Sequence, residues 1–381
     1  MNSTSQKLQT LDVLKGIGII MIIIVHNRHF LLQNTDGFRQ LINFGQMGCQ
    51  LFFLVSGMAL CYSWKTLSAQ HPICCSADFF YNYSQFIKKR YLRLAPGFLF
   101  ILLINFVLNI FLVDYLSLPC GFIMNRRPTA ILANILFLHG LFPSCINNVF
   151  PGGWYIGTTF LLYLLFPFIY TLYEVLVRYR HTAIYLIPFV LWGICFCILV
   201  VLCHCGVPEI NANNNSYLYF SVWNQLPCFC MGITLYHRQQ LYSSKRISPK
   251  VSAMLFCITA FIAVYCFLSP VYQYSYFMLP TLTGFSFYWL ALFLLELEKK
   301  DQKISFCPFL VSCGRNSYGM YLVHSFICWY GMKSFSTVLN AHGIMISDLL
   351  LYTILLPFTI LCVYALGYYM TKFLNRITRM L

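Results

Sequence analysis

Residues 183–203 read AIYLIPFVLWGICFCILVVLC, a stretch that contains no charged side chain. About 20 consecutive apolar residues are the length that crosses the hydrocarbon core of a bilayer as an α-helix. Apolar runs of similar length recur along the 381-residue chain. The sequence therefore predicts an all-α integral membrane protein, built as a bundle of transmembrane helices.

The composition indicates the same fold class. Hydrophobic residues make up 59% of the chain and charged residues 9%, whereas an average soluble domain is roughly 25% charged. A soluble chain of this length would need a polar surface to cover its core, and this sequence does not supply one. We expect one membrane domain over residues 1–381, with no separate soluble module.

We predict ten transmembrane spans from the apolar runs. They lie near residues 11–31, 46–64, 95–114, 154–175, 183–203, 216–236, 251–269, 275–297, 308–331 and 347–371. The stretch 130–142 (AILANILFLHGLF) is apolar but short. It is therefore either an eleventh span or a re-entrant or interfacial piece.

The distribution of basic residues decides between these alternatives. With ten spans and a cytoplasmic N-terminus, nearly every basic cluster falls in a cytoplasmic loop, which is the positive-inside pattern. Those residues are Lys65, Lys88, Lys89, Arg90, Arg93, Arg178, Arg180, Arg238, Lys245, Arg246, Lys250, Lys299, Lys300, Lys303, Lys372, Arg376 and Arg379, whereas Arg28, Arg39, Arg126, Arg127 and Lys333 are left outside. An eleventh span would turn the later clusters outward. We expect about ten spans, both termini in the cytoplasm, and a multi-pass protein of the inner (cytoplasmic) membrane.

The net charge of +15 does not predict a nucleic-acid partner. Much of this charge follows from the topology, and part of it can attract an anionic ligand or anionic membrane lipids. The first apolar run is long and no small-residue cleavage site follows it, so we expect no removable signal peptide.

The eighteen cysteines do not form a recognisable framework. Most lie within spans, where a thiol packs as a small apolar group. The runs 203–205 (Cys-His-Cys) and 71–75 (one histidine and two cysteines) lack the paired spacing of a zinc site. We predict no metal.

The first span, LDVLKGIGIIMIIIVHNRHF (11–30), carries polar residues that a membrane makes costly. Lys15 and His26 are 11 residues apart, close to three helical turns, so they share one face about 16 Å apart. Asp12 is an i,i+3 neighbour of Lys15. An ionisable residue within a span is a functional candidate, although Lys15 can also snorkel to the headgroups and His26 can be an interior hydrogen-bonded residue.

Two further stretches carry candidate site residues. In KKRYLRLAPGF (88–98), Arg90 and Arg93 are i,i+3 neighbours beside Lys89, and they either anchor the span or clamp phosphate oxygens through their planar forks. In CGRNSYGMYLVHSFI (313–327), His324 lies about 15 residues from the inner end of its span, as His26 does. If their helices are neighbours, the two imidazoles lie at one depth, roughly 22 Å in, and form a proton-handling site.

Five segments follow one another in a recognisable order: LDVLKG…VHN, GQMGCQLFFLVSGMAL (45–60), KRYLRLAP (89–96), GGWYIGTTFLLYLLFPF (152–168) and NSYGMYLVHSFI (316–327). Together they resemble the membrane acyltransferase-3 family, which O-acetylates surface sugars in bacteria. Three of the segments carry residues singled out above: Lys15 and His26 match a basic residue, ten others and a histidine, Arg90 and Arg93 match Arg-x-x-Arg, and His324 ends Tyr-Leu-x-His. The resemblance covers nearly the whole chain, and it implies ten spans with both ends inside.

The chain departs from the family pattern at two places. Lys15 stands where many members have arginine, which keeps the charge but loses the planar fork. Thr158 and Thr159 follow Trp154 where many members carry glutamates. The identity of the acceptor stays open.

The resemblance implies acetyl transfer from cytoplasmic acetyl-CoA to a hydroxyl of a surface carbohydrate or lipid-linked sugar. Arg90 and Arg93, with Lys89 nearby, would hold the CoA phosphates. His26 would act as general base on the acceptor hydroxyl, with Lys15 orienting the donor and His324 assisting with the acceptor or the proton. The sequence leaves two alternatives, a transporter or permease without acyl transfer and a flippase-like or structural partner of a polysaccharide-synthesis complex.

Overall fold

A computed structural model of the protein describes residues 9–30, 36–115, 124–206, 217–242, 247–269, 272–300, 307–332, 335, 338–339, 342 and 347–380. Within these residues every regular element is a helix. The helices are α1 Gln9–His26, α2 Asp36–Asn43, α3 Gly48–Gln70, α4 Ser76–Asn109, α5 Pro128–Ile135, α6 Gly153–Tyr179, α7 Ala183–His204, α8 Tyr217–Phe220, α9 Val222–Leu241, α10 Pro249–Leu268, α11 Tyr272–Lys300, α12 Pro308–Arg315, α13 Ser317–Ser325 and α14 Asp348–Met380. The prediction of an all-α membrane protein is confirmed at this level.

Eight helices of the described part are long and apolar enough to cross a membrane, and they are α1, α3, α4, α6, α7, α10, α11 and α14. The predicted spans 216–236 and 308–331 fall on α8–α9 and on α12–α13, which are not among these eight. Each departure has a physical reason. Helix α9 is buried along nearly its whole length, so protein rather than lipid surrounds its polar residues. The predicted span 308–331 is divided at Asn316 into two helices of eight and nine residues, α12 and α13.

The stretch 130–142 forms no long helix. It contains most of the eight-residue helix α5 and the short 3-10 segment His139–Leu141. Eight residues of α-helix rise about 12 Å, well short of the roughly 30 Å hydrocarbon core. The described residues of this stretch therefore form no helix long enough to cross the membrane.

Glycines bring helix backbones into close contact in the centre of the bundle. A Cβ at Gly314 of α12 would lie 1.7 Å from the carbonyl oxygen of Asp12 in α1, and one at Gly232 of α9 would lie 1.9 Å from that of Leu54 in α3. Small residues allow this approach between membrane helices. The close packing of α1 on α12 fixes which polar side chains face each other at one end of the bundle.

That end, which we name the basic end, holds the starts of α1, α4 and α12 and the ends of α3, α9 and α11. Side-chain contacts join these helix ends: Thr10 of α1 donates to Glu298 of α11 at 2.7 Å, and Lys65 of α3 donates to Gln240 of α9 at 3.2 Å. Its opposite, the far end, holds His26 and the start of α6.

Candidate active site

A cavity of about 420 Å³, named here the donor cavity, opens at the basic end between α1, α3, α4, α6, α12 and α13. Four cationic side chains and one carboxylate line it: Lys15, Arg90, Arg93, Arg315 and Asp12. The remaining wall is mostly aromatic and apolar, and includes the tyrosines at 155, 163, 318 and 321. The structure thus brings three of the predicted site residues from two distant segments, Lys15 of α1 with Arg90 and Arg93 of α4, into one strongly positive cavity.

A buried carboxylate organises the cations on the α1 side of this cavity. Asp12 is only 1% exposed, and it accepts a hydrogen bond from the Lys15 ammonium at 2.9 Å and one from Nε of Arg315 at 3.3 Å. Arg315 is a site residue that the sequence analysis did not identify. It directly precedes the Asn-Ser-Tyr motif, but only the packing of α12 on α1 shows that it faces the same cavity as Lys15.

Arg90 and Arg93 differ in how firmly they are held. The Arg90 guanidinium donates to the Ser63 hydroxyl and lies over the Phe86 ring, 5.1 Å from its centroid. These contacts on two sides fix its planar fork before any ligand arrives. Arg93, one helical turn further along α4, is exposed.

Lys89 does not join these residues. It is exposed and lines a separate cavity of about 290 Å³ between α3 and α4, together with Ser63, Thr66, Leu67, Gln70 and Phe86. Lys89 therefore contributes to the potential near the donor cavity rather than to its wall.

The two histidines meet as the depth argument requires. The ring centroids of His26 and His324 are 5.0 Å apart, so α1 and α13 are neighbours at this level. His324 is buried, 1% exposed, whereas His26 is half-buried. Nδ1 of His324 contacts the carbonyl oxygen of Tyr321. Because a carbonyl oxygen can only accept, this contact favours the tautomer with the proton on Nδ1, in which Nε2 keeps its lone pair.

Tyr321 connects the donor cavity with the histidine pair. It lines the cavity, and its ring centroid is 5.0 Å from that of His324 and 4.9 Å from that of Tyr155. Its hydroxyl donates to the carbonyl of Gly152 at 2.7 Å. Gly152 precedes α6 in the left-handed conformation, φ +83°, and a Cβ there would lie 3.3 Å from the Tyr321 hydroxyl oxygen. Glycine is the residue that adopts this conformation without a steric cost.

The start of α6 positions the remaining motif residues. Trp154 is buried and stacks on Phe220 with 4.5 Å between centroids, so it packs α6 against α8. Thr158 donates to the Phe220 carbonyl at 2.8 Å, whereas Thr159 lines the donor cavity. Of the two threonines that follow Trp154 in α6, only Thr159 faces the cavity.

The described residues include no group of three or more histidine, cysteine, aspartate or glutamate side chains arranged to hold a metal ion. Cys74 and Cys75 are exposed, and their backbone amides donate to the Asp78 carboxylate at 2.9 and 3.0 Å. Asp78 thereby caps α4.

Comparison with known proteins identifies one family and one partial relative. The profile of the acyltransferase-3 family, described as an acyltransferase domain, matches residues 8–368. The chain is also similar to "Regulator of hypoxia-inducible factor 1" of Caenorhabditis elegans, with 27% identity over 43% of this chain and 34% of that protein. The match thus spans about a third of that relative. No solved structure matches.

Proposed function

The chain belongs to the acyltransferase-3 family, and we propose on this basis that it is an O-acyltransferase that moves an acetyl group from cytoplasmic acetyl-CoA to a hydroxyl of a surface carbohydrate or a lipid-linked sugar. One observation carries the proposal. The donor cavity holds Arg90 and Arg93 at the basic end, and its inner wall reaches Tyr321, whose ring lies next to His324 of the histidine pair. Neither histidine lines the cavity itself, so the acyl end of the donor would pass Tyr321 to reach the pair.

The proposed topology places the basic end in the cytoplasm. Ten crossings, with the buried α9 and the divided α12–α13 as two of them, put both termini and nearly all basic clusters on that side, as the positive-inside rule requires. In this orientation the donor cavity opens toward cytoplasmic acetyl-CoA. The histidine pair then lies closer to the opposite face, where a lipid-linked or surface sugar is presented, and the protein belongs in the inner membrane.

The cations of the donor cavity suit the phosphates of coenzyme A. Arg90, fixed by Ser63 and Phe86, and the exposed Arg93 present two guanidinium forks for bidentate contacts with phosphate oxygens. Lys15, held by Asp12, also lines the cavity and would orient the pantetheine arm. Lys15 and His26 are about 16 Å apart along α1, a distance that the extended arm of the donor would span.

The transfer step uses the histidine pair as follows. His26 takes the proton of the acceptor hydroxyl while the acceptor oxygen attacks the thioester carbonyl carbon. The C–S bond then breaks, and the imidazolium of His26 gives the proton to the departing CoA thiolate. His324, in the tautomer that the Tyr321 carbonyl favours, offers Nε2 as an acceptor and orients the His26 ring. General base catalysis of this kind typically contributes 10²–10⁴-fold. No net proton is consumed.

The test is release of free CoA by purified protein in nanodiscs, with acetyl-CoA and a panel of sugar acceptors. We expect His26→Ala to lose turnover by about 10²-fold or more while it retains CoA binding by calorimetry. Arg90→Gln/Arg93→Gln should lose CoA binding. Arg178→Gln/Arg180→Gln is the matched control, because it removes two exposed charges near the end of α6, outside the donor cavity.

Two outcomes would count against the proposal. If wild type neither binds nor cleaves acetyl-CoA, the donor is wrong and a permease becomes the better interpretation. If His26→Ala turns over as wild type does, a different group removes the acceptor proton.

A further inference from the structure

A second polar cavity lies at the basic end and is not used by the proposed reaction. Its volume is about 370 Å³. Its lining residues are Tyr368, Thr371, Lys372, Asn375, Arg376 and Arg379 of α14 together with Asn316, which separates α12 from α13. We name these seven residues the phosphate site.

The cations of this cavity are not neutralised by neighbouring acids. Lys372, Arg376 and Arg379 follow one another at i, i+4 and i+7, so they lie on one face of α14 and extend over about 10 Å of its axis. None of the ion pairs among the described residues includes them, and no carboxylate lines the cavity. All three are exposed, so their charges are available to a ligand.

Neutral polar groups complete the cavity. The amides of Asn316 and Asn375 and the hydroxyl of Tyr368 line it beside the three cations. The Thr371 hydroxyl is buried without a hydrogen-bond partner in the described part of the chain. Guanidinium forks, an ammonium and uncharged donors are the groups that bind phosphate oxygens. We propose that the phosphate site binds a phosphate group, presented at the basic end of the bundle.

The position of the site allows two sources for that phosphate. Arg315 and Ser317 line the donor cavity, and Asn316 between them lines the phosphate site. The two cavities thus adjoin the same helix junction from different sides, and we place the nucleotide end of the donor across this junction at the basic end, a source that rests on the proposed function. Tyr369 and Phe373 are exposed on the same stretch of α14, which places the cations at the level where lipid-facing apolar surface ends. A phospholipid headgroup can therefore enter from the inner leaflet.

The experiment has one arm for each source. In the first, binding of adenosine 3′,5′-bisphosphate is measured by calorimetry in nanodiscs of phosphatidylcholine alone. In the second, retention of phosphatidylglycerol against phosphatidylcholine is measured by native mass spectrometry. Both arms compare wild type with Arg376→Gln/Arg379→Gln. The matched control is Arg178→Gln/Arg180→Gln, which removes two exposed charges near the end of α6, outside the donor cavity and the phosphate site.

We expect the phosphate-site variant to bind one of the two ligands about tenfold more weakly than wild type, because two charge-assisted contacts are lost. The control variant should change the affinity for that ligand by less than about twofold. Loss in the first arm identifies the nucleotide end of the donor, and loss in the second identifies a lipid headgroup. Equal behaviour of the two variants in both arms overturns the proposal, and these cations then serve topology alone.

Folding and the proposed function are checked separately. Thermal unfolding reports whether the double variant is folded, and the single substitution Lys372→Gln, tested in both arms, replaces it if it is not. The lipid arm needs no donor. If wild type does not turn over acetyl-CoA at all, the proposed function fails while the phosphate site can still be supported or rejected.

Discussion

Gly152 is the backbone position on which the histidine pair depends most directly, and Gly152→Ala tests that dependence. The residue has φ +83°, and its carbonyl accepts the Tyr321 hydroxyl at 2.7 Å. A methyl group there would lie 3.3 Å from the Tyr321 hydroxyl oxygen and 3.8 Å from Cε1 of His324. The substitution therefore perturbs both rings next to the site of transfer without removing either of them.

Gly152→Ala is expected to lower both the stability of the protein and the rate of transfer. An alanine in the left-handed region costs about 1–2 kcal/mol of stability. The new methyl group pushes Tyr321 by a few tenths of an ångström, and a displacement approaching 1 Å at a reacting group costs about 10²-fold in rate. We expect kcat to fall about 10- to 100-fold. The affinity for CoA should change little, because Arg90 and Arg93 lie at the basic end.

The assay is steady-state CoA release together with calorimetric CoA binding, with Gly206→Ala as the matched control. Gly206 follows α7 with φ +77°, and a Cβ there would meet nothing within 4 Å. The control therefore carries the same backbone strain without the contact to Tyr321. The reasoning fails if Gly152→Ala keeps the kcat of wild type, or if the two variants lose kcat equally.

Two further predictions concern stability. Gly314→Ala should prevent normal assembly of the bundle, because its Cβ would lie 1.7 Å from the Asp12 carbonyl oxygen. The matched control is Gly193→Ala, whose Cβ meets nothing within 4 Å and which should be neutral or stabilising by up to about 1 kcal/mol. The yield of monodisperse protein and its thermal midpoint distinguish the two variants. Burial lowers the pKa of His139, whose Nε2 contacts the Gly153 carbonyl oxygen at 2.9 Å. The unfolded chain therefore binds more protons as pH falls through about 6.5, and stability declines there. We expect the thermal midpoint of wild type to fall more than that of His139→Gln between about pH 7.5 and about pH 5.5, and an equal fall in both would show that other groups dominate.

The prediction from the sequence was strongest where the signal is local. The run 183–203 is apolar all round, and it forms the helix α7. The spacing of Lys15 and His26 depends only on helical rise, and both residues lie on the single helix α1. Counted at the same rise per residue from the inner end of its span, His324 lies at the depth of His26, and the two rings are 5.0 Å apart.

The prediction was weaker where burial inside the protein replaces contact with lipid. Helix α9 carries Asn224, Gln225 and Arg238 as buried residues, so its composition does not resemble that of a lipid-exposed span. Lys89 adjoins Arg90 in the chain, but a one-residue step rotates about 100° around a helix. The two side chains therefore line different cavities.

The sequence by itself determined the fold class, most helices, and which segments carry the candidate chemistry, because hydrophobicity and helical periodicity are properties of short stretches of chain. Only the tertiary structure decided which of those segments meet. Arg315 reaches Asp12 across 303 positions of the chain because the glycine at 314 lets α12 pack directly on the backbone of α1. Contacts of that kind depend on how whole helices pack, and no local pattern of residues encodes them.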